Sequence, residues 1–426
     1  MATFPAPAAT VRDVMFRRRS RRRFIEPLYP AHRLDWNRSH AIAAVTALTH
    51  RNPVRAEAAI LDAWGTADAM AFLSVRSALA ALLESVNWPR GSEILVSGVN
   101  IGDIPKIIRS FGHVVVPIDI DPSTLACSMD ELKEKLNDNT RAVIVAHLFG
   151  GCMDVRPLIE FARVNRLLLI EDCAQRYTTR RALEPRLSDV RLFSFGLLKT
   201  GTALGGAIAE VGDRRLRNKM HEVQRSWRRQ RRTTYAGKIA KSCLFLGVQQ
   251  PVAYRFFSEV CKVAGSSSGA VLRKLTRGFG GLDGDALLQA FRCQSSAPLL
   301  RMLAWRLAHE DGERVGRRAL AGERLHYRLG AMSGSAVLAI GAAQANRTHW
   351  LVPIFTKRPD ILRMQLADAG FDAYGASNVI AVGGKRATEM IDGLVFLPCY
   401  PEMSGRTRDR IAAVVEQSAM QERTAQ

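Results

Sequence analysis

The sequence predicts an α/β fold, a mostly parallel sheet sandwiched by helices, with a smaller α+β domain toward the C-terminus. Three observations predict it. Between Glu93 and Glu210 short apolar runs alternate with amphipathic stretches, the order that parallel strands joined by crossover helices require. Polar residues stand at the carboxyl ends of those runs. Beyond Tyr327 the alternation resumes on a smaller scale.

Residues 1–60 read as irregular. The run Arg17–Ile25 reads as a solvated basic arm, because a twin-arginine export signal would need an apolar segment where Glu26, Pro27 and Pro30 stand. A helical pattern runs from Pro53 to Leu83, interrupted by the apolar run Met70–Leu73 before Ser74 opens another helix. The strands are Ile94–Ser97, Val114–Ile118, Ala142–Ala146, Leu167–Ile170 and Leu192–Phe195, with helices such as Met129–Leu136 and Pro157–Val164 between them. Ligands of open sheets sit beyond the carboxyl ends of the strands, where Asp119, His147, Glu171, Asp172 and Ser194 fall.

Residues 213–300 form a basic insertion. Arg214, Arg215, Arg217, Lys219, Arg225, Arg228, Arg229, Arg231 and Arg232 are opposed there only by Asp213 and Glu222, the composition of a solvated helix face. The apolar stretches Ile239–Val248 and Val252–Val263 follow, too short and too charged to span a bilayer, and 265–269 is a flexible break. The segment Ser295–Leu307 reads as a helix that buries Leu299, Leu300, Leu303 and Leu307 and exposes Arg301 and Arg306. A strand at 349–356, a helix at 359–369, a strand at 393–397 and a helix at 406–418 make the small domain, with 419–426 as a frayed tail. The expected division is a basic arm at 1–54, a large α/β domain at 55–212, a helical insertion at 213–300 and a small domain at 301–426.

A chain of 426 residues, 47% hydrophobic and 24% charged, can bury one large core and a second, smaller one. Its seven cysteines include no C-x-x-C pair and no histidine cluster stands at ligand spacing, which argues against a structural zinc or a disulfide framework and fits a reducing cytoplasm. The net charge of +21 attracts phosphorylated ligands, nucleic acid or anionic membrane surfaces without choosing among them.

Within the large domain, Phe193–Gly206 combines an apolar run, a bend carrying Lys199 among small residues, and a return strand. A lysine so placed can form a Schiff base, since nothing bulky blocks the imine. A solvated loop lysine has the same local sequence. The surrounding motifs decide between them: Asp119-Ile120-Asp121-Pro122, His147-Leu148-Phe149-Gly150, Glu171-Asp172-Cys173-Ala174-Gln175, Phe193-Ser194-Phe195 with Lys199, and Gly205-Gly206. Their order and spacing resemble the DegT/StrS-type (DegT/DnrJ/StrS) aminotransferases, fold-type-I enzymes that use pyridoxal phosphate on keto sugars carried by nucleotides. The resemblance covers 55–212 and, more weakly, 349–418 through His349–Ile354 and Leu397–Pro401.

The resemblance implies roles for seven residues. Lys199 holds the cofactor as a Schiff base and then shuttles the substrate proton, while Asp172 pairs with the pyridine nitrogen. Gln175 lies near the ring hydroxyl, and Ser194 bonds the phosphate. The helix opening at Ser74 supplies backbone amides to the phosphate, with Val75-Arg76 where the family usually has Gly-Thr and Ser77 following. Ile101 stands where an aromatic side chain usually stacks on the ring. No metal is implied. Two further departures fall on the substrate side: Ala290-Phe291-Arg292 replaces an Asn-Tyr-Arg element that reaches the neighbouring subunit, and Ala376-Ser377 replaces a His-Tyr pair.

The reading implied is a cytoplasmic homodimeric aminotransferase, moving an amino group from a glutamate-like donor to a keto sugar or sugar-like acceptor. The alternatives are a homologue that binds the cofactor without catalysis, and an aminotransferase for a lipid-linked or acyl substrate. The 213–263 stretch is expected to extend an interface or cover the site mouth, with an anionic membrane surface as the other partner; no nucleic-acid module accompanies the charge.

Overall fold

Runs of Val, Ile and Leu that are apolar on both faces can only be central strands, because no face is left for water. The computed structural model describes residues 26–424 apart from Thr178, 277–283, 332–336, Ala345 and Asn378, so the basic run Arg17–Ile25 lies outside the described residues. Its strands are β1 (Ala69–Phe72), β2 (Glu93–Ser97), β3 (Val99–Ile101), β4 (Val114–Ile118), β5 (Thr140–Ala146), β6 (Leu168–Asp172), β7 (Val190–Ser194), β8 (Ala207–Val211), β9 (Arg228–Arg229), β10 (Cys293–Gln294), β11 (Val337–Ala339), β12 (Val352–Thr356), β13 (Val379–Ala381) and β14 (Leu394–Leu397).

Seven of them form one sheet in the order β1-β8-β7-β6-β5-β2-β4. The pairs from β4 through β7 are parallel. Strand β8 returns antiparallel to β7 because the loop carrying Lys199 joins them without a crossover helix, and β1 closes that edge antiparallel to β8. Arg191 and Glu210 face each other across β7 and β8, both buried, with Nε to Oε2 at 2.7 Å. The fully buried Trp64 indole donates to the other oxygen of Glu210 at 2.8 Å, so the ion pair is also hydrogen-bonded.

Helices cover both faces. Val75–Val86 is capped by the Ser74 hydroxyl and buries Ala78, Leu79, Leu82 and Leu83 with Ile104 and Ile107 on one of them. Leu158, Phe161 and Ala162 of Arg156–Val164 pack on the other. The small domain is the antiparallel sheet β11-β12-β14 under helices Gly312–Gly330, Pro359–Asp368 and Gly405–Thr424.

Four expectations are corrected. Residues 1–60 are not irregular throughout, since Arg38–Ala47 is a helix capped by Asn37. Its buried face is mostly alanine, a weak periodic signal that becomes binding only when packed beside Trp36 and the helix Ala297–Ala308. That second helix crosses the expected boundary at residue 300 and packs on Pro53–Trp64, within the core of the large sheet. Its Arg306 is buried, not exposed, because it pairs with the buried Asp35 at 2.9 Å and with His40. The C-terminal helix continues to Thr424 rather than fraying at 419, held by buried Ala419 and by Glu422, which accepts from Thr356 Oγ1 at 2.9 Å.

The insertion is helical over Arg214–Ser226, Arg232–Val248, Pro251–Val263, Ser268–Thr276 and Gly284–Phe291. Arg228 and Arg229 leave the helical run to pair in parallel with Cys293 and Gln294, their side chains exposed. Among the described residues no helix is long and apolar enough to cross a membrane.

Asp35 carries the chain entering the large domain. Its carboxylate accepts from Arg306 Nη2 at 2.9 Å, Arg314 Nε at 2.7 Å and the Gly201 amide at 2.7 Å. Replacing it with Asn leaves the buried Arg306 guanidinium without its counter-ion and Arg314 with Glu402 alone. Asp35→Asn is expected to lower unfolding stability by about 3–5 kcal/mol in denaturant titration.

Candidate active site

The carboxyl ends of β5, β6 and β7 bring His147, Asp172 and Ser194 to one edge of the sheet, with the loop of Lys199 leaving the last of them. That loop is tightly determined. Lys199 N donates to Gly196 O at 3.0 Å, Ala203 N and Gly205 N both donate to Phe195 O at 3.0 Å, and Thr202 Oγ1 caps the Leu204 amide at 3.0 Å. Gly201 has φ +69°, and a Cβ there would stand 2.9 Å from the Tyr177 ring, so the turn after the lysine accepts only glycine without strain.

The lysine side chain is half-buried, its Nζ 3.9 Å from the Trp350 ring centroid. Burial lowers its pKa from 10.5 to about 8, the Asp172 charge opposes that shift, and Arg76 adds to it. Asp172 is itself raised above the usual carboxylate range, by burial first, against the Ala174 amide at 2.9 Å and the charges of Lys199, His147 and Arg76. The result is an amine that is partly neutral near physiological pH facing a dry carboxylate, the pair a proton-shuttling amine needs.

Arg76 thus belongs to the same electrostatic field as Lys199 and Asp172. It sits in the first turn of Val75–Val86, its Nε 2.5 Å from Asp103 and its guanidinium 5.8 Å from the Phe291 ring centroid. Ser77 is fully buried; its amide donates to Ser74 Oγ at 3.2 Å and the two hydroxyls lie 3.0 Å apart. Ser194 Oγ accepts from the Gly196 amide at 3.4 Å. Gln175 Oε1 accepts from the Phe149 amide at 2.8 Å, which fixes the turn after β5. Ile101 lies opposite Val379 in the β3–β13 ladder, half-buried against the cluster that includes Ile104. Phe291 is buried against that cluster, and Arg292 pairs with Glu84 at 3.2 Å, so this element is held within its own chain.

Two strand-end acids prove architectural. Asp119 accepts from the amides of Arg386 at 2.9 Å and Ala387 at 2.8 Å, capping the helix Lys385–Asp392 of the small domain. Glu171 pairs with His147 at 2.7 Å, and its carboxyl is held down at about 2 although burial alone would raise it. His147, Glu171 and Cys173 lie within 4.8 Å of one another, a cluster that sequence spacing does not show. Its carboxylate is already bonded to His147 and 3.9 Å from Arg176, and burial keeps the thiol protonated, so the arrangement is a packed ion pair before it is a metal site.

Sequence reasoning missed three side chains at the lysine. Trp350 was visible only as part of a small-domain motif. Its indole donates to Leu198 O at 2.8 Å, and its backbone nears the turn after β5 because Gly150, at φ +92°, has no Cβ to fill the 2.5 Å left beside Trp350 N. His32 and Arg318 come from segments without a motif. His32 is half-buried, bonded to the Tyr374 hydroxyl, 6.2 Å from the Trp350 ring; Arg318 donates to Thr200 Oγ1 at 3.3 Å. No local signal marks either, since a single His or Arg is common in any loop or helix.

A mostly parallel sheet with a lysine on the loop after its last parallel strand is a fold shared with known structures. An aminotransferase from Streptoalloteichus hindustanus superposes with a TM-score of 0.66 at 16% identity, over 94% of this chain and 100% of the other. A Helicobacter pylori aminotransferase involved in the biosynthesis of pseudoaminic acid gives a TM-score of 0.66 at 13% identity, over 93% and 100%. Residues 43–249 match the sequence profile of the DegT/DnrJ/EryC1/StrS aminotransferase family. GDP-perosamine synthase of Caulobacter vibrioides is 30% identical over 39% of this chain and 46% of its own length. The L-glutamine:2-deoxy-scyllo-inosose aminotransferase of Micromonospora echinospora is 28% identical over 29% of this chain and 28% of its own. The alignments thus span less than half of these curated relatives.

His32 gives the site a pH limit. Burial, then the charges of Arg318 and Lys199, lower its pKa from 6.5 to about 4. Between those values the unfolded chain binds the proton more tightly, so stability is lost as pH falls from 6.5 toward 4. His40, lowered to about 4 chiefly by burial, acts in the same direction. The melting temperature is expected to fall across that window, and His32→Gln to flatten part of the fall in scanning calorimetry.

Proposed function

We propose that this protein is a pyridoxal-phosphate-dependent aminotransferase, moving an amino group from an amino-acid donor to a keto sugar or sugar-like acceptor. The observation that carries the reading is the Lys199 amine on the loop after β7, under the Trp350 ring and set in the field of Asp172, with a pKa lowered to about 8. The residues present fit the cofactor. Asp172, raised by burial with no cationic side chain bonded to it among the described contacts, has the chemistry of a partner for a pyridinium. The first turn of Val75–Val86 offers backbone amides and Arg76 to a phosphate, with Ser194 on the neighbouring strand as a hydroxyl donor. Pyridoxal phosphate, when bound, supplies the electron sink that stabilises negative charge on the donor carbon.

The chain's own groups do the rest. Lys199 Nζ in its neutral form accepts the proton from the donor carbon and returns it during the second half of the reaction. Asp172 keeps its partner nitrogen protonated. Trp350 covers the lysine and, with His32 beside it, limits water at the amine. The keto-sugar class is supported by the relatives, one named for transfer from L-glutamine to an inosose and one for the synthesis of GDP-perosamine. A homodimer, a cytoplasmic location and a role for the helical insertion at the site mouth belong to the same reading.

Added pyridoxal phosphate is expected to produce a visible absorbance band that Lys199→Ala loses, and L-glutamate should bleach it in the wild type. A band that survives Lys199→Ala sinks the proposal; one that glutamate leaves untouched favours the non-catalytic alternative. The rate of band formation in the free protein should rise about tenfold per pH unit below 8 and level off above it, because only the neutral amine attacks.

A further inference from the structure

Beside Leu198 and Trp350 a cavity opens whose wall includes His32, Arg33, Arg318 and Tyr400, and no aspartate or glutamate is among its lining residues. Two guanidiniums therefore face a space without a carboxylate. Arg318 is buried, and its described hydrogen bond goes to the neutral Thr200 hydroxyl at 3.3 Å. The acid whose charge it feels most, Asp35, is already bonded to Arg306, Arg314 and the Gly201 amide. Arg33 lies over the Tyr400 ring at 5.8 Å, its Nε 3.9 Å from Glu402, which Arg314 also engages. His32 adds no compensating charge, since its ring is neutral and bonded to the Tyr374 hydroxyl.

A buried guanidinium is costly unless an anion meets it, and a planar fork of donors matches a carboxylate. The geometry points to a substrate carboxylate bound at Arg318, with Arg33 as a second cation on the same cavity. The position suits a reacting molecule. Thr200, the partner of Arg318, follows Lys199 directly in the chain, and Trp350 touches both the cavity and the lysine amine. A carboxylate held there fixes the rest of its molecule against Lys199, so this inference rests on the reading of Lys199 as the reacting amine. The carboxylate belongs either to the amino-acid donor or to an acidic acceptor such as a sugar acid.

Calorimetric titration of the full chain with glutarate, with and without pyridoxal phosphate, tests it. Glutarate is expected to bind, the neutral glutaramide not to bind, and Arg318→Gln to weaken glutarate at least tenfold, with Arg318→Lys recovering part of the loss. Arg33→Gln should weaken it less, and together with Arg318→Lys it carries the test if Arg318→Gln does not fold by circular dichroism. Competition by L-glutamate assigns the site to the donor, and competition by D-glucuronate assigns it to the acceptor. Absence of glutarate binding in the wild type, equal binding of glutaramide, or unchanged affinity in folded Arg318→Gln overturns the inference. The cofactor band is read separately: its absence with glutarate binding intact overturns the aminotransferase reading alone, and its presence without glutarate binding overturns the carboxylate site alone.

Discussion

The buried carboxylate of Asp35 is the contact on which the geometry around the lysine depends. One side chain joins four segments: the chain entering the large domain, the turn after Lys199 through Gly201, the helix Ala297–Ala308 through Arg306, and the helix Gly312–Gly330 through Arg314. Burial alone would raise its pKa, but Arg306, Arg314 and Arg318 together with the Gly201 amide hold it far below the usual carboxylate range. A charge so deeply buried is tolerated because its oxygens are bonded to these donors. The lysine loop is positioned by the same bonds that dock the small-domain helix.

Electrostatics around Lys199 follow from this arrangement. Asp35 is used by its own arginines, Glu171 by His147, and Asp119 by the amides of a helix start. Asp172 is the strand-end carboxylate left to face the amine, and burial raises it where pairing lowers the others. Burial of the amine without a bonded counter-ion lowers its pKa, which keeps part of it neutral. The high positive charge of the chain has a local expression here, as arginines brought inward instead of left on the surface.

Much of the large domain was legible because its signals are local. Each of the five parallel strands lies within a residue or two of its expected place, since aliphatic runs of that length can be buried only as strands. Lys199, Asp172 and Ser194 sit where strand order and the family motifs put them. Arg306 was misjudged for a physical reason: helical periodicity distinguishes faces but cannot reveal that a buried acid waits on the inner one. The helix Arg38–Ala47 was missed because alanine packs well and signals poorly.

The sequence alone determined the sheet, the lysine at its edge and the order of the motifs around it, because each is written in residues close together in the chain. The tertiary structure decided the rest. Only folding sets Trp350 over the amine, turns Gln175 to the Phe149 amide, and brings His32 and Arg318 from segments 286 residues apart by their numbers to one cavity beside Lys199. Contacts of that range are fixed by packing and charge pairing, and nothing in a local run of residues encodes which distant partner will arrive.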